Sequence, residues 1–388
     1  MDLLGPGSRA NPYPLWHALR ERSPFLTADG GSLVLGRYED CRRVLRDPSM
    51  SSRQEYTVAA DRPGLQPSFL VLDPPDHTRL RRLVAKAFTP RAIANLEPFA
   101  TGLVDHVLDT AAERGSIDIM GDLAQQLPIT AICRWLGVPA EDAATLREWT
   151  TSASRSMDPY VLADGRAMAQ IAEAETNLED YFRALVAERR GRPGDDLLSH
   201  LVTVEEQGDR LTTEELLATL NLLLVAGHET TVNLIGNGVL ALLGHPDELA
   251  RLRADPGLAH AAVEEALRFA APVQMTSRLA TVETPFGDIV IPAGTRVTIL
   301  LAAAGRDPSV HLEPDRFVID RPGQAHLAFS GGPHFCLGAA LGRLEAAVVF
   351  RQFATRVHGA SLAEVSYRPH LNLRGPDRLT VHFDAVRR

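Results

Sequence analysis

The sequence has few cysteines, no surplus of positive charge and no recognisable targeting segment. Only three cysteines occur in 388 residues and none forms a CxxC pair, which is unlike a disulfide framework and favours a reducing cytoplasm. Lys and Arg number 40 against 49 Asp and Glu, a net charge of −9, so we expect no nucleic-acid partner. The first ten residues lack a basic region followed by an apolar run, so we expect no signal peptide.

One apolar segment, residues 216–244, is long enough to suggest a membrane span. It nevertheless carries His228, Glu229 and three asparagines. Charged groups near the centre of a bilayer are costly. The segment is therefore predicted to be a helix buried in protein, in a soluble chain without a membrane partner.

Helical periodicity dominates the chain, and strand signals are few. Eleven segments show it, which are residues 12–22, 37–46, 76–88, 90–113, 122–137, 140–156, 163–190, 212–243, 246–254, 257–270 and 337–357. Strands are predicted at 31–36, at 288–302 as two strands around a Pro-Ala-Gly turn, and as a last extended pair at 370–375 and 378–383. No repeat, linker or change of composition divides residues 1–388. We predict one mainly α domain with a small β part.

The helix predicted at 212–243 is unusually long. Thr212 and Glu215 have the spacing of a capping box, and His245-Pro246 ends the run. About 30 residues at ~1.5 Å each span roughly 45 Å, the width of a whole domain of this size. The helix is apolar on nearly every face, yet "AGHETT" at 226–231 places polar groups in its middle. Buried polar groups need partners or a function.

A glycine-rich loop, "FSGGPHFCLG" at 329–338, brings Cys336 to the start of a helix. Zinc proteases are disfavoured because "HETTV" has Val232 in place of the second histidine, and structural zinc sites usually need more than one cysteine. "GNGVLA" at 236–241 lies inside a helix, so it is not a dinucleotide fingerprint. An inert thiol, a Cys-His hydrolase and an axial iron ligand stay open.

The motifs together resemble those of the cytochrome P-450 family of the soluble bacterial type. The cysteine loop matches FxxGxxxCxG, "AGHETT" matches the oxygen-activating helix segment, and "EALR" (265–268) matches ExxR. "PDRF" (314–317) and "DPPDHTRLRRLVAKAFTP" (73–90) match further family segments. The resemblance covers about residues 12–383. It implies a single triangular domain with haem b between the long central helix and the cysteine loop.

The resemblance also implies which residues hold the cofactor. Cys336 would be the iron ligand, with Phe329 packed beside it and Gly338 admitting the haem. The other residues expected near the haem are His77, Arg81, Arg278, His334 and Ala226. His77 and Arg81 are four residues apart and share a helix face, which suits a propionate.

Catalysis and structure are expected to use separate polar groups. Glu229 and Thr230 are predicted to deliver protons, and Gly227 to leave room for dioxygen. The alternative is structural: Thr230 bonds back to the carbonyl at 226, and Glu229 pairs with a basic residue. The family pattern implies a buried network that supports folding, made of Glu265, Arg268 and Arg316.

The expected activity is monooxygenation of a medium-to-large apolar substrate with dioxygen. Substrate contacts are expected from loop 57–72 and from seven further positions, which are Leu222, Leu223, Ala226, Val273, Gln274, Met275 and Leu373. Electrons would come from a separate ferredoxin and its reductase, because no flavin or nicotinamide module is found in the 388 residues. Their docking site is expected at the cysteine side, at Arg343, Arg79, Arg81, Arg82 and Lys86. The alternatives are a haem-binding sensor, an atypical oxidation or coupling enzyme, and a non-redox cysteine enzyme.

Overall fold

The computed structural model describes residues 6–53, 67–158, 161, 164–206, 208–323 and 325–387. Its α-helices are α1 (Pro6–Ala10), α2 (Tyr13–Arg22), α3 (Tyr38–Val44), α4 (Asp76–Ala85), α5 (Pro90–Ala94), α6 (Glu97–Ala112), α7 (Leu127–Leu136), α8 (Ala143–Ser154), α9 (Gly165–Gly191), α10 (Leu197–Thr203), α11 (Thr213–Gly244), α12 (Pro246–Ala254), α13 (Ala259–Phe269), α14 (Leu301–Ala304) and α15 (Ala339–Arg356).

The strands in the same ranges are short. They are β1 (Phe25–Leu26), β2 (Ser32–Leu35), β3 (Met50–Ser51), β4 (Ser116–Asp118), β5 (Glu205–Glu206), β6 (Asp209–Arg210), β7 (Thr276–Ala280), β8 (Thr284–Phe286), β9 (Ile289–Ile291), β10 (Arg296–Ile299), β11 (Val357–His358), β12 (Ser361–Tyr367), β13 (Pro376–His382) and β14 (Ala385–Val386). The mainly α class with a small β part is confirmed.

Every predicted helix coincides with observed helical structure, with local differences. The segment 90–113 forms two helices, α5 and α6, and Pro98 lies in the first turn of α6, where its missing N–H costs nothing. The segment 122–137 begins as a π-helical stretch, Ile119–Ala124, before α7. The short helices α1, α10 and α14 were not predicted, since one or two turns give too weak a periodic signal.

Helix α11 crosses the core as its sequence predicts. The Thr212 hydroxyl accepts from the Glu215 backbone N–H while the Glu215 carboxylate accepts from the Thr212 N–H, which completes the capping box. Its N-terminal half packs in a cluster with α7, α8 and α9, and its C-terminal half in another with α13 and α15. The polar segment 226–231 lies between these two halves.

The strand predictions were only partly right. The largest sheet has the order β1-β2-β10-β7-β3, with β10 parallel to β2 and antiparallel to β7. The two strands predicted within 288–302 exist, but β9 pairs with β8 rather than with β10. The last pair is β12 with β13; residues 370–375 form no strand and contribute a single bridge, Leu373 to Val273.

The connection from β10 to α15 contains the cysteine loop. Helix α15 packs against α11 and α13, and residues 329–338 lead directly into its N-terminus. Across the described part of the chain, no helix combines the length and the apolar character needed to cross a membrane.

Candidate functional site

The cysteine loop is held in an unusual backbone conformation. Ser330 and Gly332 have positive φ values of 62° and 64°. A Cβ on Gly332 would come within 2.3 Å of the Leu45 carbonyl oxygen, so only glycine fits there. The Cys336 N–H donates to the Phe329 carbonyl at 2.9 Å, which closes the loop ahead of α15. The loop therefore fixes the position of Cys336.

The Cys336 thiol lies where an uncompensated thiolate is unfavourable. Burial raises its pKa, and the Gly338 N–H and the cations of Arg81 and Arg343 offset only part of this effect. A bond to a metal cation would stabilise the thiolate directly. A Cβ on Gly338 would meet nothing within 4 Å, and the same holds for Gly227 on α11. Both glycines therefore leave room beside them.

Buried basic side chains converge next to this loop. The His77 and His334 rings are 4.1 Å apart, and neither ring nitrogen of His77 has a hydrogen-bond partner although the residue is 2% exposed. Burial, with the nearby His77 and Arg278, lowers the pKa of His334 to about 3. Burial also lowers the pKa of Arg278 to about 10. Arg81 donates to the Phe335 carbonyl.

These groups fit an anionic ligand. Burial is the main cause of their lowered pKa values, and neighbouring cations add to it only at His77 and His334. A carboxylate ligand would offset the cost of burying these groups. The nearest carboxylate, Asp73, already accepts from the Ser52 N–H at 2.8 Å and from the Ser51 hydroxyl. The structure thus brings together all four residues predicted to hold propionates, and the two unpartnered ring nitrogens of His77 suit a haem carboxylate.

The polar segment of α11 contains both contacts expected of the structural alternative. The Thr230 hydroxyl donates to the Ala226 carbonyl at 2.6 Å, and the Thr231 hydroxyl donates to that of Gly227 at 3.0 Å. The Glu229 carboxylate is 3% exposed and lies 2.5 Å from a guanidinium nitrogen of Arg368. Sequence reasoning left the basic partner of Glu229 unnamed.

The buried charge network differs from the prediction in one member. Glu265 and Arg268 are both fully buried and form two hydrogen bonds, at 2.7 and 2.8 Å. The third member is Arg321, whose Nε lies 3.3 Å from Glu265. The prediction of Arg316 was wrong: its side chain is 62% exposed and faces Glu313, and only its carbonyl accepts from Arg268.

The predicted substrate contacts fall into two groups. Leu222, Ala226, Val273 and Met275 are partly buried, whereas Leu223 and Leu373 are buried. Gln274 does not offer its amide to a ligand, contrary to the prediction. Its oxygen accepts from the Trp16 indole N–H at 2.8 Å and its nitrogen donates to the Ala271 carbonyl at 2.6 Å. Of loop 57–72, residues 57–66 lie outside the described residues.

Two of the predicted docking cations are already paired. Arg79 forms ion pairs with Asp209 and Glu215. Arg343 binds both oxygens of Glu264, at 2.6 and 2.9 Å, and lies over the Phe329 ring.

Burial disfavours ionisation of Glu264, but hydrogen bonds from His326 and Arg343 outweigh this effect and lower the pKa of Glu264 to about 2. Arg82 and Lys86 are exposed on α4 and just after it.

A buried carboxyl on α15, Glu345, was also missed by sequence reasoning. It is 1% exposed, and its Oε1 has no hydrogen-bond partner. Burial raises its pKa to about 8. The surrounding apolar run "AAVVF" was the only signal that this acid would be buried.

Replacing Glu345 with glutamine should change how stability depends on pH. Because the folded pKa is raised, the wild type loses stability as pH rises from the ordinary glutamate value to about 8. Each unit of pKa displacement corresponds to about 1.4 kcal/mol. Thermal unfolding at pH 5 to 8.5 should therefore show Glu345→Gln gaining stability relative to wild type as pH rises. Parallel curves would contradict this prediction, and the exposed Glu364→Gln is the control.

Over almost its whole length, the chain is similar to proteins of one family. The family model described as Cytochrome P450 matches residues 29–256 and 257–356. The cytochrome P450 monooxygenase PikC of Streptomyces venezuelae is 43% identical, with 99% of this chain and 94% of that protein covered. The vitamin D(3) 25-hydroxylase of Pseudonocardia autotrophica is also 43% identical, with 98% and 96% covered. The ligand-free structure of CYP164A2 from Mycobacterium smegmatis superposes with a TM-score of 0.90 at 45% identity, covering 98% of each chain.

Proposed function

The chain belongs to the cytochrome P450 family, and from this premise we propose that it inserts one oxygen atom of dioxygen into a medium-to-large apolar molecule. It is a P450 monooxygenase, and the cofactor of its family is haem. The observation that carries the proposal is the position of Cys336. Its thiol lies just before α15, near Arg81 and the unpartnered ring nitrogens of His77, and Gly338 leaves space beside it.

Cys336 is proposed to bind the haem iron, and the cluster of His77, Arg81, Arg278 and His334 to bind the haem propionates. Arg81 and Arg278 would offset the charge of the two carboxylates, and His77 and His334 would donate hydrogen bonds to them, which would give the unpartnered nitrogens of His77 a partner. Haem, when bound through a cysteine thiolate, supplies the reductive activation of dioxygen. Phe329, whose carbonyl accepts from the Cys336 N–H, packs against the same loop.

Glu229 and Thr230 are proposed to move protons to the reacting oxygen. Dioxygen chemistry consumes protons, and the buried site limits access of bulk water. Thr230 can release its bond to Ala226 and turn its hydroxyl toward the space beside Gly227. Glu229 lies one residue earlier on the same helix, where it can supply a proton through Thr230 or an ordered water.

The substrate is proposed to lie along α11, against Leu222 and Ala226, with Val273 and Met275 on the facing segment. These side chains are mostly apolar, and Met275 can adapt to irregular shapes. The Gln274 amide is already hydrogen-bonded to Trp16 and to the Ala271 carbonyl, so it is not left to orient the substrate. The name of the 25-hydroxylase makes vitamin D(3) a sensible first probe.

Electrons are proposed to come from a ferredoxin and its reductase in the cytoplasm. The docking surface that we propose contains Arg82 and Lys86, together with the 42% exposed ring of Phe335 beside the cysteine. Arg79 and Arg343, predicted for the same surface, are each paired with carboxylates. Raising the ionic strength should therefore weaken the association with an acidic ferredoxin.

Carbon monoxide added to the dithionite-reduced protein tests the proposal. Thiolate ligation gives a strongly red-shifted Soret band, so a colourless protein or an unshifted band after haem reconstitution would refute it. A haem-binding sensor would give the band without product. Spectral titration with vitamin D(3), a steroid, a fatty acid and a macrolactone would then identify the substrate class.

Replacing Thr230 with alanine should uncouple turnover. Product formed per reduced coenzyme is expected to fall about 10-fold or more, which is less than the ~10²–10⁴-fold that a positioned proton donor contributes to a rate. Hydrogen peroxide should rise correspondingly. Thr231→Ala is the matched control, because its hydroxyl makes the same type of backbone contact one residue further on. Equal coupling in both variants would leave Thr230 with a structural role only.

A further inference from the structure

Arg368 lies between a buried carboxylate and an exposed one. One of its guanidinium nitrogens is 2.5 Å from Glu229, and its Nε is 3.5 Å from Asp377. Side-chain exposure rises along this row, from 3% for Glu229 to 18% for Arg368 and 54% for Asp377. The three side chains therefore form a continuous polar connection from the middle of α11 to solvent.

The β12–β13 hairpin fixes this connection. Tyr367 pairs with Pro376 in the hairpin register, so Arg368 and Asp377 flank its last pair. The turn is pressed against α11, since a Cβ on Gly375 would come within 2.2 Å of the Asn233 side-chain oxygen. That oxygen also lies 3.5 Å from Arg368. The arginine is thus positioned by backbone packing as well as by its ion pairs.

The other charged groups near Glu229 are poorly suited to supply its protons. His228 is the preceding residue on α11. Burial lowers its pKa, and the charge of Arg147 on α8 lowers it further. Burial and Arg368 lower the pKa of His370 at the hairpin end. Both rings are therefore held neutral at pH 7.

The other charged groups near His370 already have hydrogen-bond partners. Asp158 raises the pKa of His370, but its carboxylate already accepts hydrogen bonds from the backbone N–H groups of Leu371 and Asn372. Arg155 lowers the pKa of the same ring and lies close to Gln170, 3.1 Å from its side-chain oxygen. Among the described residues around Glu229, the pair Arg368 and Asp377 therefore connects Glu229 to a well-exposed acid.

We propose that Asp377 and Arg368 form the proton inlet of Glu229. One proton enters from bulk water at Asp377 and one leaves Glu229 toward Thr230 in each transfer, and no electron moves. Arg368 stays protonated, because guanidinium does not release its proton in proteins. It acts as a positioning residue: a swing from Glu229 toward Asp377 opens a path for water between the two carboxylates. The inference rests on the proposed role of Glu229.

The proton inlet is tested with Asp377→Asn, Arg368→Gln and Arg368→Lys. Arg378→Gln is the matched control, because Arg378 follows Asp377 on the same strand and forms an exposed ion pair with Glu364 at 3.5 Å. Dioxygen consumption is measured in H₂O and D₂O with a surrogate ferredoxin and reductase, without substrate, since peroxide release also consumes protons. Haem content, the carbon monoxide band and thermal unfolding serve as structural checks.

Asp377→Asn should slow dioxygen consumption about 3- to 10-fold and raise the solvent isotope effect, while the structural checks stay at wild-type values. Arg368→Gln should also make a protonated Glu229 carboxyl visible by infrared spectroscopy at neutral pH, because a buried carboxylate that has lost its counter-ion is costly. Arg368→Lys should suppress that band, since the cation is restored. Arg378→Gln should resemble wild type in every assay.

Glu229→Gln separates the proton inlet from the proposed function. If Glu229→Gln changes the isotope effect but Asp377→Asn does not, the inlet is overturned and the role of Glu229 stands. If neither variant changes it, both are overturned. An equal effect of Asp377→Asn and Arg378→Gln would indicate a general surface effect and would also overturn the inlet.

Discussion

Cys336→Ser is expected to lose the red-shifted carbon monoxide band and to lower monooxygenase turnover by roughly 10³-fold or more. A serine hydroxyl is neutral at pH 7, so it cannot replace a thiolate that pushes electron density toward the iron. The loop itself should survive, since its closing bond uses the Cys336 backbone N–H and the Phe329 carbonyl. Reduced carbon monoxide difference spectra and turnover with a surrogate ferredoxin measure the two losses.

Cys133→Ala is the matched control for Cys336→Ser. Cys133 is 2% exposed on α7, and burial raises the pKa of its thiol to about 12, so it is chemically inert. The control variant should keep the carbon monoxide band, with some loss of stability from the missing sulfur atom. A normal band in Cys336→Ser, or loss of the band in Cys133→Ala, would contradict the assignment of the ligand.

Glu265→Gln is expected to destabilise the protein by roughly 3–5 kcal/mol, because it leaves buried guanidinium charge without its counter-ion. Arg268 and Glu265 are fully buried, and Arg321 is nearly so. Such a loss is a large share of the ~5–15 kcal/mol that holds a typical domain folded. Thermal or denaturant unfolding, together with haem content after purification, measures the effect.

Arg316→Ala and Arg321→Ala separate the observed network from the one predicted from sequence. Arg321→Ala should approach Glu265→Gln in severity, because it removes a direct contact with the carboxylate. Arg316→Ala should change stability by less than about 1 kcal/mol, as expected for an exposed ion pair. The reverse order would restore Arg316 as the third member of the network.

The helical architecture was predictable because long helices leave a periodic signal. The capping box of α11 and its end before Pro246 are set by residues within a few positions of each other. The strand partners were not predictable in this way. β9 and β10 are neighbours in sequence, yet each pairs with a different strand, a choice made by packing far along the chain.

The site was predicted in its composition but not in all of its contacts. The motifs placed Cys336, His77 and Arg278 together, and the structure does the same. The partner of Glu229 was missed because Arg368 lies 139 residues away in sequence, outside any motif. The direction of the Gln274 side chain depends on Trp16, which no local pattern connects to it.

The parallel pairing of β2 with β10 also bears on the order in which the protein can assemble during synthesis. Residues 32–35 gain this partner only when residues 296–299 have been made. At roughly 5–20 residues per second, that interval is about 13 to 53 s. Leu33 and Leu35, fully buried in the finished sheet, lack this partner strand for that time. Capture of haem must come later still, because Cys336 is translated after both strands.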